Sequence, residues 1–98
     1  MVDSTLSFST DDGIIAIEGL IDRDTVPQLL NGIDIEKLNA EQITLDLAQV
    51  DKVDTAGLAW ILKLKAHTEK SGQTLVLKQV PEQLKRLASL GGVDTLLN

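Results

Sequence analysis

Apolar residues alternate with polar ones in four places, a tight-turn signal joins the first two, and helix-period stretches flank the later ones. Together these predict an α/β fold. The expected architecture is a mixed β-sheet of about four strands, an N-terminal β-hairpin followed by β-α-β-α, with the helices packed on it. Ninety-eight residues suit one domain over 1–98, large enough for a core and too small for a second.

The first strand is expected over 5–9, where Leu6 and Phe8 alternate with polar neighbours. Asp12-Gly13 suits a tight hairpin turn that returns into a second strand over 13–19. A short helix follows from about Thr25 to Leu30, capped by Asp22 or Asp24, with Pro27 tolerated in its first turn and Asn31-Gly32 as its stop. The stretch 31–41 fits either a loop or a further helical turn. The third strand, 42–48, places Ile43, Leu45 and Leu47 on one face and Thr44, Asp46 and Ala48 on the other. A longer helix runs from about Thr55 to Glu69. It ends in a basic turn around Lys70 that suits the helix dipole, and Gly72 suits the left-handed residue beyond it. The fourth strand spans 73–79. Pro81 then opens a last helix through about Ser89, with Leu84, Leu87 and Ala88 as its buried stripe and Gly91-Gly92 as its stop.

Apolar residues make up 43% of the chain, yet only Phe8 and Trp60 are aromatic, so the core is built from Leu, Ile and Val. No cysteine is present, which excludes disulfides and thiolate chemistry. The first ten residues lack a basic flank followed by an apolar run, and no stretch approaches the length of a membrane span; the expectation is a soluble, cytoplasmic protein. The net charge of −6 is unevenly placed, with twelve of the fifteen acids but only three of the nine bases in residues 1–54. A nucleic-acid partner needs a basic face to release phosphate counterions, and the acidic half argues against one.

The chain offers little to a catalyst. Gly91-Gly92 has neither the spacing nor the following Lys-Ser/Thr of a phosphate loop. His67 is the single histidine and has no Cys or second His with which to hold a metal, so it reads as an exposed helix residue. A hydroxyl nucleophile at Thr55 needs a general base beside it. His67 lies about 18 Å further along the same helix by its rise per residue. No catalytic residue, cofactor or metal is therefore expected.

Three stretches carry a family resemblance: ITLDLAQVDKVDTAGLAWIL (43–62), GLIDRDTVPQL (19–29) and VPEQLKRLASLGGV (80–93). The first resembles the signature of STAS domains, an apolar strand with a central Asp, a short loop, then Asp-Ser/Thr-small-Gly-Leu opening a helix. The second is similar to the family's Gly-x-x-Asp-x-x-Thr segment and the third to its closing helix. The three keep the family's order and spacing over nearly the whole chain. Asp54-Thr55-Ala56-Gly57 with a fully apolar first helical turn is similar to the small stand-alone STAS subunits of Gram-negative phospholipid ABC transporters. That likeness implies a non-enzymatic subunit on the cytoplasmic side, peripheral to the inner membrane through its partner. The implied partner is the transporter's ATPase subunit and, through it, the membrane permease. The alternative it implies is an anti-sigma factor antagonist, bound by a kinase-like anti-sigma factor and switched by phosphorylation at Thr55. Thr55 stands where those antagonists carry Ser, and Gly19-Leu20-Ile21-Asp22 replaces their common Gly-Glu-Leu-Asp.

Read from the residues, Asp54 and Thr55 can cap the helix that follows. Leu58, Ile61 and Leu62 share the face that should pack on the sheet, while Ala56, Trp60 and Leu64 form a second row at i, i+4, i+8. One helix of a two-layer domain does not easily bury both rows, so Trp60 is expected to be partly exposed beside Thr55, unless the last helix or segment 31–41 covers it. Gly57 either lets the backbone approach a neighbour closely or leaves room for a partner. The expected docking patch comprises Asp22, Asp24, Asp54, Thr55, Ala56, Gly57, Trp60 and Leu64.

Overall fold

The computed structural model describes residues 6–93 and 95. Strands β1 (Leu6–Asp11), β2 (Ile14–Ile21), β3 (Gln42–Val53) and β4 (Thr74–Lys78) form one sheet in the order β1-β2-β3-β4. β1 and β2 are antiparallel, and β2-β3 and β3-β4 are parallel. The crossovers are α1 (Val26–Gly32) and α2 (Thr55–Lys70), and α3 (Glu82–Leu90) follows β4. This is the expected α/β architecture, with its N-terminal hairpin. Both crossovers step the same way across the sheet, and the right-handed rule then places both helices on one face. There α2 is central, touching α1 on one side and α3 on the other.

The hairpin turns at Asp12 and Gly13, whose φ angles of 48° and 79° give the left-handed pair that matches the twist of the flanking strands. On the helix-covered face Ile15, Ile17, Ile43, Leu45 and Leu47 are at most 1% exposed, so the predicted aliphatic alternation does form the core. Gly72, at φ 76°, takes the left-handed position after α2 as expected, and the Gln73 N–H reaches back to the Thr68 carbonyl.

Two expectations shift, and the choice left open for segment 31–41 is decided. β3 continues to Val53 rather than stopping at 48, because β2 also runs on, through two register shifts, and pairs Ile21 with Val53. The apolar positions switch from odd (Ile43, Leu45, Leu47) to even (Ala48, Val50) where the register shifts, so the pattern breaks phase and does not announce one continuous strand. Segment 31–41 holds a short 3₁₀ turn, Ile35–Lys37, capped by the Asp34 side chain accepting from the Glu36 N–H at 3.1 Å. Gln73 pins the rest of that segment by donating from Nε2 to the carbonyls of Leu38 (2.6 Å) and Ala40 (2.9 Å). Finally, α1 has Thr25 as its N-cap without a side-chain cap bond, so neither Asp22 nor Asp24 caps it in the manner anticipated.

Candidate functional site

The C-terminal ends of β2 and β3 meet the N-terminus of α2, and one carboxylate organises the junction. Asp54 is extended (φ −108°, ψ −170°), which aims its side chain along the incoming helix. Its Oδ1 accepts from the N–H groups of Ala56 (2.8 Å) and Gly57 (3.1 Å), and its main-chain oxygen accepts from Leu58 (3.0 Å). Its carboxylate thus satisfies two of the four N–H groups at the start of α2 that lack an intrahelical partner, and the Leu58 bond is the first regular bond of the helix. The other oxygen, Oδ2, accepts from the Arg23 N–H at 3.3 Å and ties the loop after β2 to the same point.

That loop is locked by a reciprocal pair. Asp22 Oδ1 accepts from the N–H groups of Asp24 (2.9 Å) and Thr25 (3.0 Å), and Thr25 Oγ1 accepts from the Asp22 N–H (2.9 Å) while donating to the Leu20 carbonyl (2.8 Å). Thr25 is only 4% exposed, so the Asp-x-x-Thr spacing is a structural clasp. Its hydroxyl is engaged upstream, which explains why it leaves the start of α1 uncapped. The Gly-x-x-Asp-x-x-Thr resemblance marks these two residues, but helix-start rules alone do not give the clasp, because its carboxylate precedes the hydroxyl, the reverse of the usual capping box.

Thr55, first residue of α2, is exposed, and among the described residues its hydroxyl has no hydrogen-bond partner. Asp24 is exposed as well, while Asp22, Asp54 and Ala56 are half-buried. These five sit around one end of the sheet, at the junction of β2, β3 and α2.

Trp60, Leu64 and Gly57 do not belong to the surface. Trp60 is 4% and Leu64 1% exposed, which corrects the expectation of an exposed tryptophan row. The physical reason is the coverage from α1 and the turn beyond it: Ile33 is buried and Ile35 half-buried over α2, in a groove that Trp60 and Leu64 line from beneath. With α3 also packed on it, α2 buries Leu58 and Ile61 of one row and Trp60 and Leu64 of the other, and leaves Leu62 and Ala56 half-buried. Gly57 is buried too. A Cβ there would stand 2.7 Å from the Ile21 carbonyl oxygen and 2.8 Å from a Val53 methyl, so the missing side chain admits the sheet, not a partner.

Among the described residues no cluster of His, Cys, Asp and Glu is arranged to hold a metal. No helix among them is long and apolar enough to cross a membrane.

A compact α/β domain with a capped helix start at the sheet's end is the STAS arrangement. The family described as "Mlab, STAS domain" matches residues 4–98, and the chain belongs to the STAS domain family. Solved structures agree on the fold. A putative anti-sigma factor antagonist from Thermotoga maritima superposes with a TM-score of 0.72 at 17% identity, over 95% of this chain and 83% of that one. The unphosphorylated anti-sigma factor antagonist SpoIIAA gives 0.71 at 14% identity, over 95% and 85%. A sulfate transporter family protein from Wolinella succinogenes gives 0.70 at 21% identity, over 87% and 70%. Sequence comparison with curated proteins gives no match. STAS domains generally act as interaction or regulatory modules.

Proposed function

We propose that this chain is a non-enzymatic docking subunit for the ATPase of an Mla-type phospholipid ABC transporter, held through that ATPase at the cytoplasmic face of the membrane beside the permease. The observation that carries the reading is the exposed Thr55 hydroxyl on a start of α2 that Asp54 has already capped and fastened to the 22–25 loop. A rigid, preformed surface with a free hydroxyl suits recognition, since little order has to be imposed on binding. The family description matched over residues 4–98 supports the choice of transporter. Docking would favour the folded, assembled ATPase by mass action, with no chemistry in this chain. The docking face comprises Thr55, Asp24 and the accessible parts of Asp22, Asp54 and Ala56; Gly57, Trp60 and Leu64 support it from within.

The second reading is an anti-sigma factor antagonist switched at Thr55, favoured by that same exposed hydroxyl and by the existence of SpoIIAA in a phosphorylated form. Electrostatics favours the first. A phosphate at Thr55 would find Ala56 and Gly57 already donating to Asp54, and would bring about two negative charges beside that carboxylate.

The test is co-expression with the ATPase, followed by sizing and ATPase assay, using Thr55→Ala, Thr55→Glu and Asp24→Ala. Loss of co-elution with Thr55→Glu and weakening with the alanine variants is expected. Equal binding by all three removes the patch, and an ATPase equally stable and active without this chain removes the function. Phosphate incorporation at Thr55 by a kinase-like anti-sigma factor would favour the second reading.

A further inference from the structure

We propose that Gln83, on α3, is a positioning residue of the Thr55 site; the proposal rests on the docking reading above. β3 last pairs with β4 at Asp46 opposite Lys78, then continues to Val53 beside β2 alone. Successive N–H groups of a strand point to opposite sides. The Asp54 N–H goes to the Ile21 carbonyl on the β2 side, at 3.1 Å, so the Val53 N–H faces the side that β4 has vacated. Val53 is 1% exposed, and a main-chain donor left without a partner there is costly.

The amide oxygen of Gln83 accepts that N–H at 2.9 Å, across 30 residues of sequence. Gln83 is exposed, but the helix that carries it is fixed. Pro81 starts α3 and accepts from Leu84 (3.0 Å) and Lys85 (3.2 Å), while Leu84 and Ala88 are fully buried and hold the helix down. Gln83 therefore stands in for the missing strand, one residue before the cap and two before the exposed hydroxyl.

Its effect on the site follows from the cap geometry. Asp54 reaches Ala56 and Gly57 only while the chain entering it is held in place, and its last two peptides are held from opposite sides, the Asp54 N–H by Ile21 of β2 and the Val53 N–H by Gln83. Without the Gln83 oxygen, the end of β3 keeps one edge only, and the direction in which Thr55 is presented loosens. The buried contacts of Ile61, Leu64 and Leu84 do not depend on this bond, so the fold persists.

The experiment compares the full chain with Gln83→Leu, which removes the acceptor, Gln83→Glu, which keeps an oxygen, and Thr55→Arg, which obstructs docking directly. Amide hydrogen exchange at Val53, Ala56 and Gly57 is followed by NMR, and affinity for the ATPase by titration. Gln83→Leu is expected to speed exchange at all three amides and weaken ATPase binding about 3- to 10-fold, the worth of one hydrogen bond. Gln83→Glu is expected to return both toward wild type. A space-filling role predicts the opposite, since leucine has similar volume and the glutamate oxygen would rescue nothing. Unchanged exchange in Gln83→Leu overturns the proposal. So does wild-type affinity in Gln83→Leu while Thr55→Arg abolishes binding. If Thr55→Arg binds normally, the docking reading fails, and the three exchange rates alone decide whether Gln83 positions the cap.

Discussion

Gly57 presses its α-carbon against the Ile21 carbonyl, so closely that a Cβ would lie 2.7 Å from that oxygen. A backbone oxygen inside a paired strand cannot swing aside as a side-chain tip can. Glycine within a helix gives up about 1 kcal/mol of propensity relative to alanine, which Gly57→Ala would recover. Against this stands overpacking on a fixed backbone and on Val53, at about 1–3 kcal/mol. The clash outweighs the propensity, so Gly57→Ala should lower the urea midpoint. A midpoint equal to or above wild type would mean that α2 can shift outward freely.

Asp54 serves capping and loop attachment together, and the two can be separated by chemistry. Asp54→Ala removes both carboxylate oxygens and should cost about 1–2 kcal/mol, the range for loss of an N-cap. Asp54→Asn keeps an oxygen for Ala56 and Gly57, and asparagine caps nearly as well as aspartate, so its loss should be much smaller. Thr55→Ala touches an exposed side chain with no partner among the described residues and should change stability by less than about 0.5 kcal/mol. Denaturant melts of the three variants check the order. A large loss for Thr55→Ala would show that the hydroxyl helps hold the helix.

Much of this site is legible in the sequence, and the illegible part has one cause. Asp54 as a cap, the start of α2 at Thr55 and the alternation of Ile43, Leu45 and Leu47 all follow from local rules about unpaired N–H groups and strand period. What local rules miss is where neighbouring segments lie. The polar tail of β3 becomes a strand because β2 is beside it, and Gly57 is tight because Ile21 is behind it. Trp60 is covered because Ile33 and Ile35 fold over α2 from a segment whose own pattern permits two conformations. Gln83 looks like any solvated residue in a first helical turn until the vacant side of β3 is known.

Trp60 offers the clearest correction to check. As a buried residue it should cost about 3–5 kcal/mol when cut to alanine, far beyond any surface position. It is also the only tryptophan, so its emission reports this site alone. Folded protein should emit to the blue of the urea-unfolded chain and resist quenching by acrylamide. Emission already at the unfolded wavelength would restore the exposed row that the sequence suggested.

The cover over Trp60 depends in turn on Gln73, which holds the carbonyls of Leu38 and Ala40 with one amide group. Gln73→Leu removes both donors while filling much the same space, leaving two carbonyls to find water. At about 0.5–1.5 kcal/mol net for each hydrogen bond, the loss of stability should be about 1–3 kcal/mol. The more specific consequence is local. Segment 33–40 is held to β4 through this residue, so its loosening should open the groove in which Trp60 lies before the rest of the sheet yields. Acrylamide quenching of Trp60 should therefore rise in Gln73→Leu well below the denaturant concentration at which the main transition begins. Quenching that changes only with global unfolding would mean that Ile33 and Ile35 hold the cover by packing alone.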